Sequence, residues 1–194
     1  MRKAQISRKT TETDIEVKLV IEGKGDYQIE TGVGFLDHML SLLARHGLFD
    51  ISIKATGDLQ VDSHHTVEDV GLCLGKAFGE ALGSKEKIAR YGSSRVPMNE
   101  ALAEADVDFS SRPFMVFNAS LAGTKVGEFD VELAREFLQA FANAAMLTLH
   151  INLLYGHNVH HCIEAVFKAL GRALGQAVRL DDRIQGVMST KGEL

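Results

Sequence analysis

The chain has 194 residues, 45% of them hydrophobic and 24% charged, with a formal net charge of -5. This is the profile of a soluble globular protein long enough to bury a sizeable core; it excludes disorder, collagen-like repeats and low-complexity character. The mild acidity argues against a nucleic-acid partner, which needs a concentrated basic surface, and no apolar run is long enough to cross a bilayer. Two cysteines make no disulfide framework, and residues 1–3 lead into no signal-like apolar stretch, so a cytoplasmic setting is expected.

Residues 4–8, 15–21 and 27–31 alternate or are β-branched, as strands are. Leu36, Met39, Leu40 and Leu43 then recur at helical spacing. Residues 50–56 read as a fourth strand and 64–82 as a longer helix rich in Ala, Leu and Gly. Residues 93–100 are expected to join two halves, with Pro97 interrupting regular structure. Strands follow over 103–109, 114–121 and 126–129, then a helix over 131–145, a strand over 147–153 and a helix from His160.

The second series repeats the first. His64-His65-Thr66-Val67-Glu68 and His160-His161-Cys162-Ile163-Glu164 share the pattern H-H-x-x-E. Downstream at the same offset, Val70, Leu74, Gly75, Ala77, Gly79 and Ala81 face Val166, Leu170, Gly171, Ala173, Gly175 and Ala177. Upstream the offset grows by two. Ile51 and Ile53 then match Leu149 and Ile151, and residues 35–44 match 133–142, which sets Glu136 opposite His38. Matching flanks mark a duplication rather than a chance motif. The expected fold is α+β, a two-layer α/β sandwich made of a duplicated β-β-β-α-β-α unit, with half-repeats over 1–95 and 96–194 packed as one body.

Two copies of H-H-x-x-E at helix starts point to metal. Residues i and i+4 share a helical face and i and i+3 nearly do, so His64 and Glu68 can point together, and so can His65 and Glu68. Adjacent residues diverge by about 100° around the axis, so His65 and His161 serve a different ion from their neighbours. Imidazole and carboxylate donors suit Mn, Fe, Zn or Ni rather than Ca or Mg alone. His150, in an apolar strand, is expected to pack, and Cys162 to be a small buried group.

A second constellation suits an anion. Arg90, Arg112 and the run Ser189-Thr190-Lys191-Gly192 combine guanidinium, ammonium and hydroxyl groups with a glycine turn, the chemistry of a phosphate site; ordinary surface charge explains them equally well. Lys168 follows the second H-H-x-x-E by one helical turn. Glu12, in a polar patch, is either an acid/base or a surface residue. His46 and His157 sit next to glycine in loops near the expected sites.

Residues 34–40 (GFLDHML), 62–69 (DSHHTVED), 156–165 (GHNVHHCIEA) and 189–192 (STKG) together resemble the imidazoleglycerol-phosphate dehydratase family, and the resemblance covers essentially the whole chain. It implies dehydration of imidazole glycerol phosphate to imidazole acetol phosphate in histidine biosynthesis. It also implies two manganese ions per active site, with other divalent transition metals conceivable, and a large cubic homo-oligomer of twenty-four copies with sites between subunits. By motif, one ion takes His38, His65, Glu68 and His160. The other takes His64, His161, Glu164 and position 136, where many relatives carry histidine and this chain has Glu136. By the same matching Arg90, Arg112, Ser189, Thr190 and Lys191 hold phosphate, while Glu12, His46 and Lys168 line the catalytic pocket. Two other functions use similar equipment: a two-metal hydrolase of a phosphorylated small molecule, which releases inorganic phosphate, and a metal-stapled structural protein, which has no affinity for a phosphorylated imidazole.

Overall fold

The computed structural model describes residues 1–194. Its first half runs β1 (Lys3–Lys9), β2 (Thr13–Val20), β3 (Tyr27–Glu30), α1 (Gly34–Gly47), β4 (Asp50–Gly57) and α2 (His64–Leu82). The second half runs β5 (Tyr91–Met98), β6 (Ala101–Asp108), β7 (Phe114–Asn118), α3 (Leu133–Ala144), β10 (Thr148–Tyr155) and α4 (Val159–Ala177). Between β7 and α3 lies a small hairpin of β8 (Lys125–Val126) and β9 (Phe129–Asp130).

The two sheets share one topology. The orders are β1-β2-β4-β3 and β5-β6-β10-β7. In each, the first three strands listed pair antiparallel and the last pair is parallel, joined through a helix as a βαβ unit. Inward residues alternate along the strands, as Ile15, Val17 and Leu19 do on β2, so one face of each sheet is buried. Helix α2 covers β1 and β2, and α4 covers β5 and β6.

Each half is thus a two-layer sandwich, and the halves pack helix layer against helix layer, α1 on α4 and α2 on α3. A single apolar cluster of 49 buried residues draws on both halves, so they form one body. Small residues permit the close approach. An added Cβ at Gly75 would lie 2.5 Å from the Phe141 carbonyl oxygen, and one at Gly171 would lie 2.7 Å from that of Leu43. The duplication reaches the backbone: Leu48 after α1 and Met146 after α3 both take positive φ, 59° and 54°. The next residues, Phe49 and Leu147, donate N–H bonds back to Ala44 and Ala142.

Three sequence expectations need correction. The segment 93–100, expected as a break, lies mostly in strand β5, and the expected division between residues 95 and 96 falls inside it. Pro97 is tolerated because β5 is an edge strand, where a missing N–H need not break a ladder. Residues 126–129 are not a third strand of the second sheet; they belong to the β8–β9 hairpin, and β5, β6 and β7 are the counterparts of β1, β2 and β3. His150 does not pack in the core: it is exposed on the outer face of β10 because its neighbours Leu149 and Ile151 take the inner one.

Candidate active site

The metal-ligand candidates cluster at helix starts, where local sequence fixes the chain's entry. Asn158 caps α4, its side chain accepting the His161 N–H at 3.3 Å. Asp62 accepts the His64 N–H at 2.7 Å as α2 begins. Asp37 in the first turn of α1 accepts from the Thr31 N–H and hydroxyl, tying β3 to the helix that carries His38.

His38, His160 and Glu164 present ligand atoms that all lie within 4.8 Å of one another. His38 Nε2 is 2.8 Å and His160 Nε2 3.1 Å from Glu164 Oε1, and Lys168 Nζ donates to Glu164 Oε2 at 2.6 Å. Burial works against ionisation of Glu164, but bonds from Lys168, His38 and His160 outweigh it and hold the carboxyl at about 2. Phe35 meets the His160 ring edge-on at 5.2 Å and Phe129 at 5.0 Å, making an apolar wall. A cleft of about 540 Å³ lies here, lined by Phe35, His38, Phe129, His160 and also Ser63, the residue before α2.

The resemblance grouped Glu164 with His64, His161 and Glu136; in the chain it meets His38 and His160. Helical geometry explains this, since His160 and Glu164 are i and i+4 while His161 points to another side. The repeat gives His64, Glu68 and Glu136 as the counterpart set. His64 Nε2 is 3.9 Å from Glu68 Oε2, and Glu136 sits on α3, which packs on α2 as α1 packs on α4. The Glu136 carboxylate is within 3.3 Å of Arg135.

His65 and His161 face elsewhere. His65 Nδ1 is 3.0 Å from Asp58 Oδ2 and 3.8 Å from Glu12 Oε2. His161 Nδ1 is 2.8 Å from Glu100 Oε2. The Asn158 N–H, with help from His161, holds the Glu100 carboxyl at about 2. Sequence reasoning missed Asp58 and Glu100, because each lies in a turn whose nearness to a histidine exists only after folding. Lys168 is committed to Glu164 and Met98. His46 stands at the end of α1, where burial and the charges of Lys168 and Arg172 hold its imidazole below the ordinary range.

The anion-binding candidates gather separately. Arg90, Arg112, Ser189, Thr190 and Lys191 line one cleft of about 670 Å³, together with Arg183, which the sequence argument omitted. Arg112 is exposed, whereas Arg90 is buried, gripping both oxygens of Asp108 at 2.6 and 3.0 Å and the Met188 carbonyl at 2.7 Å. Arg90 therefore anchors the C-terminal segment that carries Ser189 to Lys191.

The family model for imidazoleglycerol-phosphate dehydratase matches residues 31–174. The chain belongs to the imidazoleglycerol-phosphate dehydratase family. It is 61% identical over 193 residues to the imidazoleglycerol-phosphate dehydratase of Pelobacter propionicus, covering 100% of this chain and 99% of that protein. The corresponding protein of Acetivibrio thermocellus is 58% identical with the same coverage. Among solved structures, the imidazoleglycerol-phosphate dehydratase of Staphylococcus aureus superposes with a TM-score of 0.84 at 42% identity, covering 92% of this chain and 99% of that one. The Pyrococcus furiosus protein gives 0.85 at 39%, covering 97% and 100%. As an imidazoleglycerol-phosphate dehydratase family member the chain is a hydro-lyase of histidine biosynthesis acting on a small phosphorylated substrate. No helix is long and apolar enough to cross a membrane.

Proposed function

We propose that the chain dehydrates imidazole glycerol phosphate to imidazole acetol phosphate as a metal-dependent enzyme. The observation that carries this is the convergence of His38, His160 and Glu164 from helices of opposite halves, in a chain that matches the family from end to end. The donor set fits a divalent transition ion: two imidazole nitrogens and an ionised carboxylate, with no thiolate among them. His38, His160 and Glu164 would hold one ion, and His64, Glu68 and Glu136 a second, with His65 and His161 completing sites of neighbouring copies in a large homo-oligomer. Two manganese ions per site are the reading taken from the family, and when bound they supply Lewis acidity to the substrate's imidazole and diol.

The chain's own groups do the rest. Arg112, Ser189, Thr190 and Lys191 hold the phosphate, while Arg90 fixes the segment that carries the last three. This remote binding positions the ring and diol without itself reacting. Glu12 is the proton shuttle, since its side chain is 52% exposed and not engaged as a ligand. It takes the proton from the carbon next to the one that carries the departing hydroxyl and passes it to that hydroxyl, which leaves as water; the resulting enol tautomerises to the ketone. His46, its imidazole pKa lowered by burial and by Lys168 and Arg172, and Lys168, held to Glu164, border the same site. We place the enzyme in the cytoplasm, on its two free, buried cysteines, and the join of the half-repeats between α2 and β5.

The test is product analysis on the purified enzyme with imidazole glycerol phosphate, paired with an elemental metal count. A ketone formed without inorganic phosphate, from an enzyme carrying two transition ions per chain, is expected. Released phosphate would make it a hydrolase, and metal without turnover a structural protein.

A further inference from the structure

His38 and His160 turn Nε2 onto Glu164, itself a ligand candidate, where an ion would take the place of the shared hydrogens. His65 and His161, the repeat-equivalent second histidines of the two H-H-x-x-E motifs, present the opposite edge to the protein. Each turns Nδ1 onto a carboxylate, Asp58 Oδ2 at 3.0 Å and Glu100 Oε2 at 2.8 Å. An ionised carboxylate only accepts hydrogen bonds, so the nitrogen facing it must carry the hydrogen. In a neutral imidazole that leaves the lone pair on Nε2. We propose that Asp58 and Glu100 are a matched pair of positioning residues that fix His65 and His161 as Nδ1–H tautomers, each presenting Nε2 to a divalent ion. The ion itself rests on the function proposed above; the orientation does not.

The two carboxylates have equal roles but unequal places in the repeat. Asp58 immediately follows β4, on the way into α2, while Glu100 sits in the turn between β5 and β6. The first-half counterpart of that turn, between β1 and β2, holds Glu12, and Glu12 lies 3.8 Å from the same His65 Nδ1, beyond hydrogen-bond reach. The second-half counterpart of the Asp58 segment, between β10 and α4, holds His157, whose Nδ1 is 3.7 Å from Glu100. Each half therefore orients its histidine from a different turn. Because Asp58 does this work in the first half, Glu12 is left free, which is the condition a substrate-facing proton shuttle needs.

Both carboxylates are held. Asp58 is 15% exposed, against 52% for Glu12. Glu100 also accepts the Asn158 N–H at 2.9 Å, so the residue that caps α4 fixes the carboxylate that orients His161. Outer carboxylates of this kind set tautomer and ring direction in metal sites, and their loss typically lowers metal affinity about 10–100-fold.

The experiment has two readouts besides turnover. Solid-state 15N NMR of histidine-labelled, metal-free enzyme near pH 8 reports which ring nitrogen of His65 and His161 carries hydrogen, and chelator competition gives the affinity for Mn2+ alone. Nδ1–H tautomers are expected in the parent enzyme. Asp58→Asn and Glu100→Gln, whose amides can also donate, should lose this preference and weaken Mn2+ about 10–100-fold, at unchanged thermal midpoint. Asp58→Glu and Glu100→Asp, which remain acceptors only, should recover part of the affinity even where an amide variant folds poorly. Glu12→Gln should leave tautomer and Mn2+ affinity as they were. Nε2–H tautomers in the parent enzyme, or parent-like Mn2+ affinity in both amide variants, overturn the proposal. A parent enzyme with Nδ1–H tautomers that takes up no divalent ion instead overturns the metal-dependent function and leaves the orientation standing.

Discussion

His38 on α1 and Glu164 on α4 are 126 residues apart, in opposite halves of the duplicated chain, and their side chains meet at 2.8 Å. No local sequence preference makes that contact. It exists because α1 and α4 approach closely along Gly171, which lies under the Leu43 carbonyl. The site and the packing between halves are one structural problem: whatever separates the helix layers also separates these two side chains.

Gly171→Ala should therefore cost both stability and metal. A Cβ there would sit 2.7 Å from the Leu43 carbonyl oxygen and 3.2 Å from the Gly47 nitrogen, and backbone cannot step aside as a flexible side chain can. Overpacking of this kind costs about 1–3 kcal/mol. Gly79→Ala is the control. Its Cβ would meet only the Ala144 carbonyl, at an ordinary 3.8 Å, so the helix-propensity gain of roughly 0.5–1 kcal/mol should appear as added stability. Denaturant midpoints for the two variants should move in opposite directions, and metal content should fall only in Gly171→Ala.

Glu164→Gln should empty the site without unfolding the chain. The amide keeps the side-chain volume but removes the charge that Lys168, His38 and His160 all face. Metal affinity is expected to fall by more than about 100-fold, beyond the range typical for outer partners, with turnover lost in parallel. Elemental analysis and an activity assay at saturating metal check this; a metal-replete Glu164→Gln enzyme would remove Glu164 from the ligand set.

Much of this architecture was legible in the residues. Helix α2 spans the residues 64–82 expected for it, and the H-H-x-x-E copies mark the starts of α2 and α4, where the candidate ligands stand. Strand β5 was not legible because the first part of its inward face is small rather than apolar. A Cβ at Gly92 would overlap the Ala173 carbonyl of α4, and Ser94, 8% exposed, is the next inward residue. A helix lying that close leaves no room for the branched side chains that usually announce a strand. Glu100 was invisible for a different reason. It is 61 residues from His161, and only the pairing of β5 with β6 under α4 brings the two together.

The two arginines of the anion cleft should behave differently when truncated. Arg112 is exposed, its Nη1 held only by the Ser110 carbonyl at 3.2 Å. Arg112→Ala should raise KM by about 10- to 100-fold, the worth of a charged hydrogen bond, with metal content and melting temperature unchanged. Arg90→Ala should also destabilise the chain by on the order of 3 kcal/mol, since it strands Asp108 without its partner and frees the Met188 carbonyl. Steady-state kinetics beside thermal melts separate the two. Loss of metal in Arg112→Ala would show that the cleft and the metal cluster are not independent.

Acid should loosen the entry into β4. Asp50 Oδ1 accepts the Lys24 N–H at 2.7 Å and the Asp26 N–H at 3.0 Å, tying the turn before β3 to the start of β4. These backbone donors favour the charged form and hold the Asp50 carboxyl below its ordinary value. A carboxyl whose folded pKa is depressed stabilises the native state above its unfolded value of about 3.9. That contribution fades as pH falls through the lower folded value, because the folded chain then loses its advantage in binding one proton fewer. Asp50→Asn keeps an acceptor oxygen but has no proton to gain. Its melting temperature should be lower than the parent's at pH 7, and the gap should narrow as pH drops below about 4. Melting curves from pH 7 to 3 read this directly; a gap that stays constant across that range would show that the Asp50 charge contributes nothing to holding the turn.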